Sequence, residues 1–148
     1  MSANNILMRY HLLLLLVCLA PSLVRTQPSP SIQLDYFAAT PKEIDGCEES
    51  FTYNTAALKD EKYIFFSNLQ ELAMIRVKGK IIHLKKVSER QLSSKMYKTI
   101  YKGEGYTVTT LMKDVRPEGD EGSYMKGTLE VRSGAATITI AIHGMSGC

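Results

Sequence analysis

Hydrophobic and polar residues alternate most strictly near the end of the chain. In Thr137–His143, isoleucines at positions 138, 140 and 142 share one face, and smaller or polar residues lie between them. A period of two places successive side chains on opposite faces of a strand. Gly127–Arg132 alternates in the same way, and Ser133-Gly134 supplies a tight turn between the two segments. The pattern predicts a hairpin with one buried face.

Short runs of β-branched and aromatic residues extend this pattern back towards Cys47. Leu72–Val87 predicts a second hairpin, with Lys78-Gly79 at its turn. No sustained helical period competes, although Thr55–Lys62 and Glu89–Ser94 each allow one helical turn. Further strands are predicted at Phe51–Tyr53, Tyr63–Phe66, Met96–Lys102 and Tyr106–Met112. About eight short antiparallel strands predict an all-β domain, either a small barrel or a sandwich.

The first residues follow a different pattern. An apolar run at residues 11–20, HLLLLLVCLA, has Arg9 before it and Pro21 and Ser22 after it. A basic flank, a short apolar core and small residues beyond it are typical of a secretory signal peptide. The run is shorter than the roughly 20 residues of a membrane-spanning helix. We therefore expect residues 1–26 to be removed on export to the periplasm, cell surface or extracellular medium, with the cleavage site left open.

The mature chain is predicted to consist of an arm and one domain. Residues 27–42 contain three prolines, which fix φ and remove backbone donors, so this segment is expected to be an extended arm. Leu34, Tyr36 and Phe37 offer apolar side chains for docking. Residues 43–148 form the predicted β domain, which is a usual size for a single domain.

Two cysteines remain after the predicted loss of Cys18, namely Cys47 and Cys148. An even number of cysteines in an oxidising compartment favours a disulfide, here closing a loop of about 100 residues. A catalytic thiol is the alternative, but neither cysteine has a recognisable nucleophile context. We expect the Cys47–Cys148 disulfide.

Charge is unevenly distributed along the chain. The formal net charge is +3, and the mature chain keeps 16 basic and 15 acidic residues, so nucleic-acid binding is not indicated. Residues 76–102 nevertheless hold nine basic residues against a single acid, Glu89. Such a stretch indicates either a polyanion-binding face or solvated strand faces and Lys-guarded edges. The candidate polyanion face comprises Lys78, Lys80, Lys85, Lys86 and Lys98.

Signals for metal, cofactor or catalysis are weak. The acidic loop at residues 114–122 lacks the spacing of a calcium loop. His143, Met145 and Cys148 are soft ligands, but His83 is the only other histidine of the mature chain, and the disulfide would occupy the thiol. No nucleophile elbow, zinc-protease helix or phosphate-binding loop occurs. We predict no metal, no cofactor and no catalytic residues.

Several short segments occur together in a recognisable order. They are IDGC at 44–47, KYIF at 62–65, AMIRVKGK at 73–80, GYTV at 105–108, GTLEV at 127–131 and HGMSGC at 143–148. This set resembles a group of small exported bacterial proteins of unknown function, across about residues 43–148. The resemblance implies a secreted, periplasmic or surface β domain, and it implies no activity, cofactor or catalytic residue.

The expected function is that of a non-catalytic binding module with a protein or glycan partner. Two alternatives remain open. One is a carrier with an apolar cavity inside the barrel, and the other is a hydrolase with an unrecognised pair of carboxylates. The oligomeric state is left open.

Overall fold

Each strand pairs with the next strand along the chain, and the last pairs with the first, so a single antiparallel sheet closes into a barrel. The computed structural model describes residues 31–117 and 122–148; the predicted signal peptide and residues 27–30 of the arm lie outside that range. A short helix, α1 (Thr55–Lys59), connects the first two strands. The strands are β1 (Glu48–Thr52), β2 (Phe65–Ser67), β3 (Leu72–Val77), β4 (Lys80–Ser93), β5 (Met96–Gly103), β6 (Tyr106–Pro117), β7 (Gly122–Ser133) and β8 (Ala136–Gly147).

The all-β prediction is confirmed, and of the two architectures considered the protein adopts the barrel. Both predicted hairpins form, with turns at Lys78-Gly79 and after Ser133. One local expectation is wrong, because Glu89–Ser93 is the end of β4 rather than a helical turn. The backbone of β5 pairs with this segment through two register irregularities, and these long-range hydrogen bonds outweigh the local preference.

The disulfide lies where the barrel closes. In the register of β1 and β8, Glu48 is opposite Gly147, so Cys47 and Cys148 are the next pair along the two strands. They form the predicted disulfide, with their Cα atoms 4.0 Å apart. The bridge therefore links the chain end to the start of the barrel, 101 residues earlier.

Apolar side chains fill most of the barrel interior. Phe51 and Phe65 stack with ring centroids 5.5 Å apart, and Leu84, Leu129 and Ile142 are fully buried around them. Ile138 and Ile140 pack against the same cluster and are partly buried. The isoleucine face of β8 is thus the inward face, as its period of two predicts.

The arm covers one end of the barrel. Leu34 is 3% exposed and forms an isolated β-bridge with Val77 at the end of β3. The Tyr53 hydroxyl donates a hydrogen bond to the Leu34 carbonyl at 2.9 Å. Farther along the arm, Phe37 packs edge-on against Phe66 outside the barrel, with centroids 5.2 Å apart. We call this arm-covered end, which also carries the β3–β4, β5–β6 and β7–β8 turns, the closed end.

Candidate functional site

Polar side chains gather inside the barrel at the end opposite the closed end. They surround a cavity of about 180 Å³ next to the β2–β3 turn. The wall is formed by side chains from β1, β4, β5 and β8 and by one turn residue. We call this site the polar mouth; it is lined by Glu49, Leu69, Glu89, Tyr97, Thr99, Tyr101 and Ser146.

Glu49 is the most deeply placed acid of the polar mouth. It lies on β1 directly opposite Ser146 of β8 and is 8% exposed. Burial raises the pKa of its carboxyl to about 7, and a hydrogen bond with the Ser67 side chain opposes that rise. Ser67 in turn accepts a hydrogen bond from the Tyr101 hydroxyl at 3.3 Å. The carboxyl therefore changes charge near neutral pH.

The second carboxylate of the polar mouth already has a cationic partner. Lys86 Nζ lies 2.9 Å from Glu89 Oε2 and donates to the Leu69 carbonyl, also at 2.9 Å. Lys86 stands opposite Tyr101, so its side chain extends along the interior edge of β4. Burial also raises the pKa of Tyr101, which keeps that hydroxyl protonated. The charge of Glu89 is thus balanced, and that of Glu49 is only partly offset by the more distant Lys86.

A second candidate site lies on the outside of the barrel. Outward positions of β4 to β7 carry six exposed cations, and the register places several of them directly opposite one another. Arg90 faces Lys98, for example, and Lys113 faces Lys126. Like charges at directly opposed positions of neighbouring strands destabilise a sheet. We call this surface the basic face; its residues are Lys85, Arg90, Lys98, Lys102, Lys113 and Lys126.

Among the residues that the structure describes, carboxylates do not pair with the cations of the basic face. Within residues 31–117 and 122–148, no acid lies within 4.0 Å of any of its six cations. The outward acid of β7, Glu130, pairs with Arg132 on its own strand at 3.2 Å. The repulsion between the opposed cations is therefore left uncompensated within this part of the protein.

An open apolar groove of about 360 Å³ adjoins the basic face. Met96, Leu111 and Ala141 contribute apolar surface, and Lys113 and Lys126 stand at its edge. On the neighbouring β4, the apolar side chains of Val87 and Leu92 are exposed. The outer surface of these strands thus combines positive charge with apolar contact area.

The five lysines of the predicted polyanion face do not lie together. Lys85 and Lys98 belong to the basic face, but Lys86 lies on the inward side of β4 and contacts Glu89 and the Leu69 carbonyl beside the polar mouth. Lys80 pairs with Glu104 at 2.6 Å, and this hydrogen bond, with the His83 backbone N–H, lowers the pKa of Glu104 to about 2. Lys78 lies in the β3–β4 turn at a φ of 50°.

The predicted polyanion face leaves out four of the six members of the basic face, namely Arg90, Lys102, Lys113 and Lys126. Arg90 and Lys102 lie within the basic stretch. Lys113 and Lys126 lie beyond the basic stretch at residues 76–102, on β6 and β7. Their outward positions follow from alternation within each strand, but only the strand register places Lys113 directly opposite Lys126 and diagonal to Lys98.

The structure offers little support for a metal centre. No group of three or more His, Cys, Asp or Glu side chains is arranged for metal binding in the described part of the chain. His143 Nδ1 instead lies 2.9 Å from the Tyr124 hydroxyl, and Cys148 is in the disulfide. The described residues also contain no helix with the length and apolar character that a membrane crossing requires.

Comparison with known proteins found no matching family model, curated protein or solved structure. The resemblance to small exported bacterial proteins therefore remains a prediction.

Proposed function

We propose that this protein is an exported, non-catalytic binding module that holds an acidic protein partner on its basic face. The observation that carries the proposal is the set of six exposed cations at outward positions of four adjacent strands, without a neutralising acid among the described residues. The cations at opposed positions of neighbouring strands repel one another, and a negatively charged partner that covers this surface would relieve the repulsion.

The apolar groove favours a protein over a glycan as the partner. Met96, Leu111 and Ala141 form an apolar surface that fits an aliphatic or aromatic side chain better than sugar hydroxyls. Besides the two lysines, Thr128 and His143 are the polar side chains of the groove lining. Lys113 and Lys126 at the groove edge suit carboxylates on either side of that apolar group. The exposed Val87 and Leu92 extend the apolar contact area along β4.

The two alternative functions have less support. A carrier needs an apolar cavity inside the barrel, whereas Phe51, Phe65 and Leu84 occupy that interior and the apolar groove is open on the outside. The hydrolase alternative would act as glycosidases do, with two carboxyl groups in different roles. Of the two in the polar mouth, Glu89 already pairs with Lys86.

The test uses the full chain and two labelled acidic peptides, one with Leu at every third position and one with Ser in its place. We expect the Leu peptide to bind more tightly, and binding of both to weaken steeply as salt rises, because the contacts are largely electrostatic. Replacing Lys98, Lys113 and Lys126 together by Gln should weaken binding by at least about tenfold.

A matched control carries the same change in charge elsewhere. Lys42, Lys59 and Lys62 are exposed and lie off the basic face, so replacing these three by Gln should leave binding nearly unchanged. Equal losses in the two triple variants would contradict a localised site. Tight heparin binding without affinity for either peptide would instead assign the basic face to an acidic glycan.

A further inference from the structure

The polar mouth is separate from the basic face, and oxygen atoms predominate among its polar groups. Its polar atoms are the carboxylates of Glu49 and Glu89 and the hydroxyls of two tyrosines, Thr99 and Ser146. All of these groups accept hydrogen bonds through oxygen. The nearby ammonium of Lys86 already contacts Glu89 and the Leu69 carbonyl. A ligand that enters this cavity meets an excess of acceptors and an incompletely balanced carboxylate.

We propose that the polar mouth binds a small organic cation, a primary alkylammonium group, through Glu49. The ammonium offers three donors and the positive charge that the buried carboxylate needs. Tyr97 and Tyr101 add aromatic walls, which attract a cation over the ring face. The aliphatic side chain of Leu69 matches the alkyl part. This site lies inside the barrel and does not depend on the function proposed for the basic face.

The volume and charge argue against other occupants. A cavity of about 180 Å³ admits a short amine or the end of a longer one, but not a sugar chain. An anion would meet two carboxylates. A calcium ion prefers six to eight oxygen ligands, whereas one of the two carboxylates here already pairs with Lys86.

Binding is expected to depend on pH because Glu49 must be ionised to pair with a cation. The groups that face it are Lys86 and Glu89 on β4, Tyr97 and Tyr101 on β5, and, farther along the mouth, Asp114 on β6. Burial raises the pKa of Glu49 itself to about 7. Its ionised fraction, and with it the affinity, should fall about tenfold between pH 8.5 and pH 6.

The experiment is an NMR titration of the full chain with n-butylamine, with n-butanol as the uncharged analogue of similar size. We expect n-butylamine to shift resonances of the polar mouth at pH 8.5 and n-butanol to have at least about tenfold less effect. Glu49→Gln should abolish n-butylamine binding. Glu48→Gln, an acid next to it on the same strand and outside the cavity lining, is the matched control and should bind as the parent does.

A second variant keeps the Glu49 carboxylate and fills part of the cavity. Ser146→Leu places a larger side chain opposite Glu49, so it should also abolish binding while the carboxylate remains. Equal binding of n-butanol and n-butylamine, or n-butylamine binding unchanged by Glu49→Gln, would overturn the proposal. Stronger binding of calcium chloride than of n-butylamine would overturn it as well, in favour of a metal ion.

Discussion

The two ends of the barrel are built from the same eight strands, but the inward side chains are apolar at one end and largely polar at the other. At the closed end, Leu34 of the arm covers the interior, and the inward residues Val77 and Ile82 are apolar and buried. At the polar mouth, the inward positions of β1 and β5 carry Glu49, Tyr97 and Thr99 around a cavity. Burial of apolar surface stabilises the closed end. At the polar mouth, the desolvation of a buried carboxyl group reduces the stability of the fold.

This difference indicates how a small barrel accommodates a site. Apolar packing at the closed end and the disulfide beside the polar mouth hold the sheet together from both sides. The polar mouth can therefore keep a carboxyl whose ionised form burial disfavours.

Loss of the disulfide should have the largest effect. Replacing Cys47 and Cys148 together by Ser opens a loop of 101 residues, and chain entropy predicts a loss of about 4–5 kcal/mol in the free energy of unfolding. Denaturant unfolding of the oxidised parent and the double variant measures this difference. Reduction of the parent should reproduce the loss, and a loss below about 1 kcal/mol would contradict the role assigned to the bridge.

Leu34→Ala should weaken the closed end. The side chain is 3% exposed and packs into the core cluster, so its truncation should cost about 3–4 kcal/mol in the free energy of unfolding. Gln33→Ala, at the exposed neighbouring position, is the matched control and should change stability by less than about 0.5 kcal/mol. If the two variants are equally stable, the arm is not part of the folded barrel.

Glu49→Gln should change how stability depends on pH. Burial raises the pKa of the folded carboxyl from 4.5 to about 7, so the folded protein favours the protonated form. The contribution of this carboxyl to the free energy of unfolding is therefore full below pH 4.5 and is lost as the pH rises through 7. The variant cannot ionise at this position. The difference in free energy of unfolding between the variant and the parent should therefore shift by about 2–3 kcal/mol in favour of the variant between pH 4.5 and pH 8.

Thermal or denaturant unfolding of both proteins across that range provides the measurement. Glu48→Gln on the same strand should follow the parent curve. A constant difference between the parent and Glu49→Gln at every pH would show that the carboxyl of Glu49 does not titrate in this window.

Local patterns were sufficient to predict most of the sheet. The Thr137–His143 alternation, the Lys78-Gly79 turn and the pairing of Cys47 with Cys148 are all present in the structure. Glu89–Ser93 was assigned wrongly, because its local sequence allows a helical turn although the segment is the end of β4. Pairing with β5 decides its conformation.

Neither candidate site was visible as a unit in the sequence. Glu49 is one acid in an acidic segment, and only barrel closure places it opposite Ser146 and within the cavity. Lys113 joins Lys98 and Lys126 only through the register of three strands. Lys86 follows Lys85 in the basic stretch, yet the two extend to opposite sides of β4.

The sequence by itself determined most of the strands, the alternating faces of the last hairpin and the number of cysteines available for a bridge, because these depend on periodicity and composition over a few residues. The tertiary structure decided that the sheet closes as a barrel, which end is covered by the arm, and which charged side chains become neighbours. Those outcomes depend on pairing between residues far apart in the chain. The same outward lysine is a solvated charge in an isolated strand and part of the basic face once the neighbouring strands are in register.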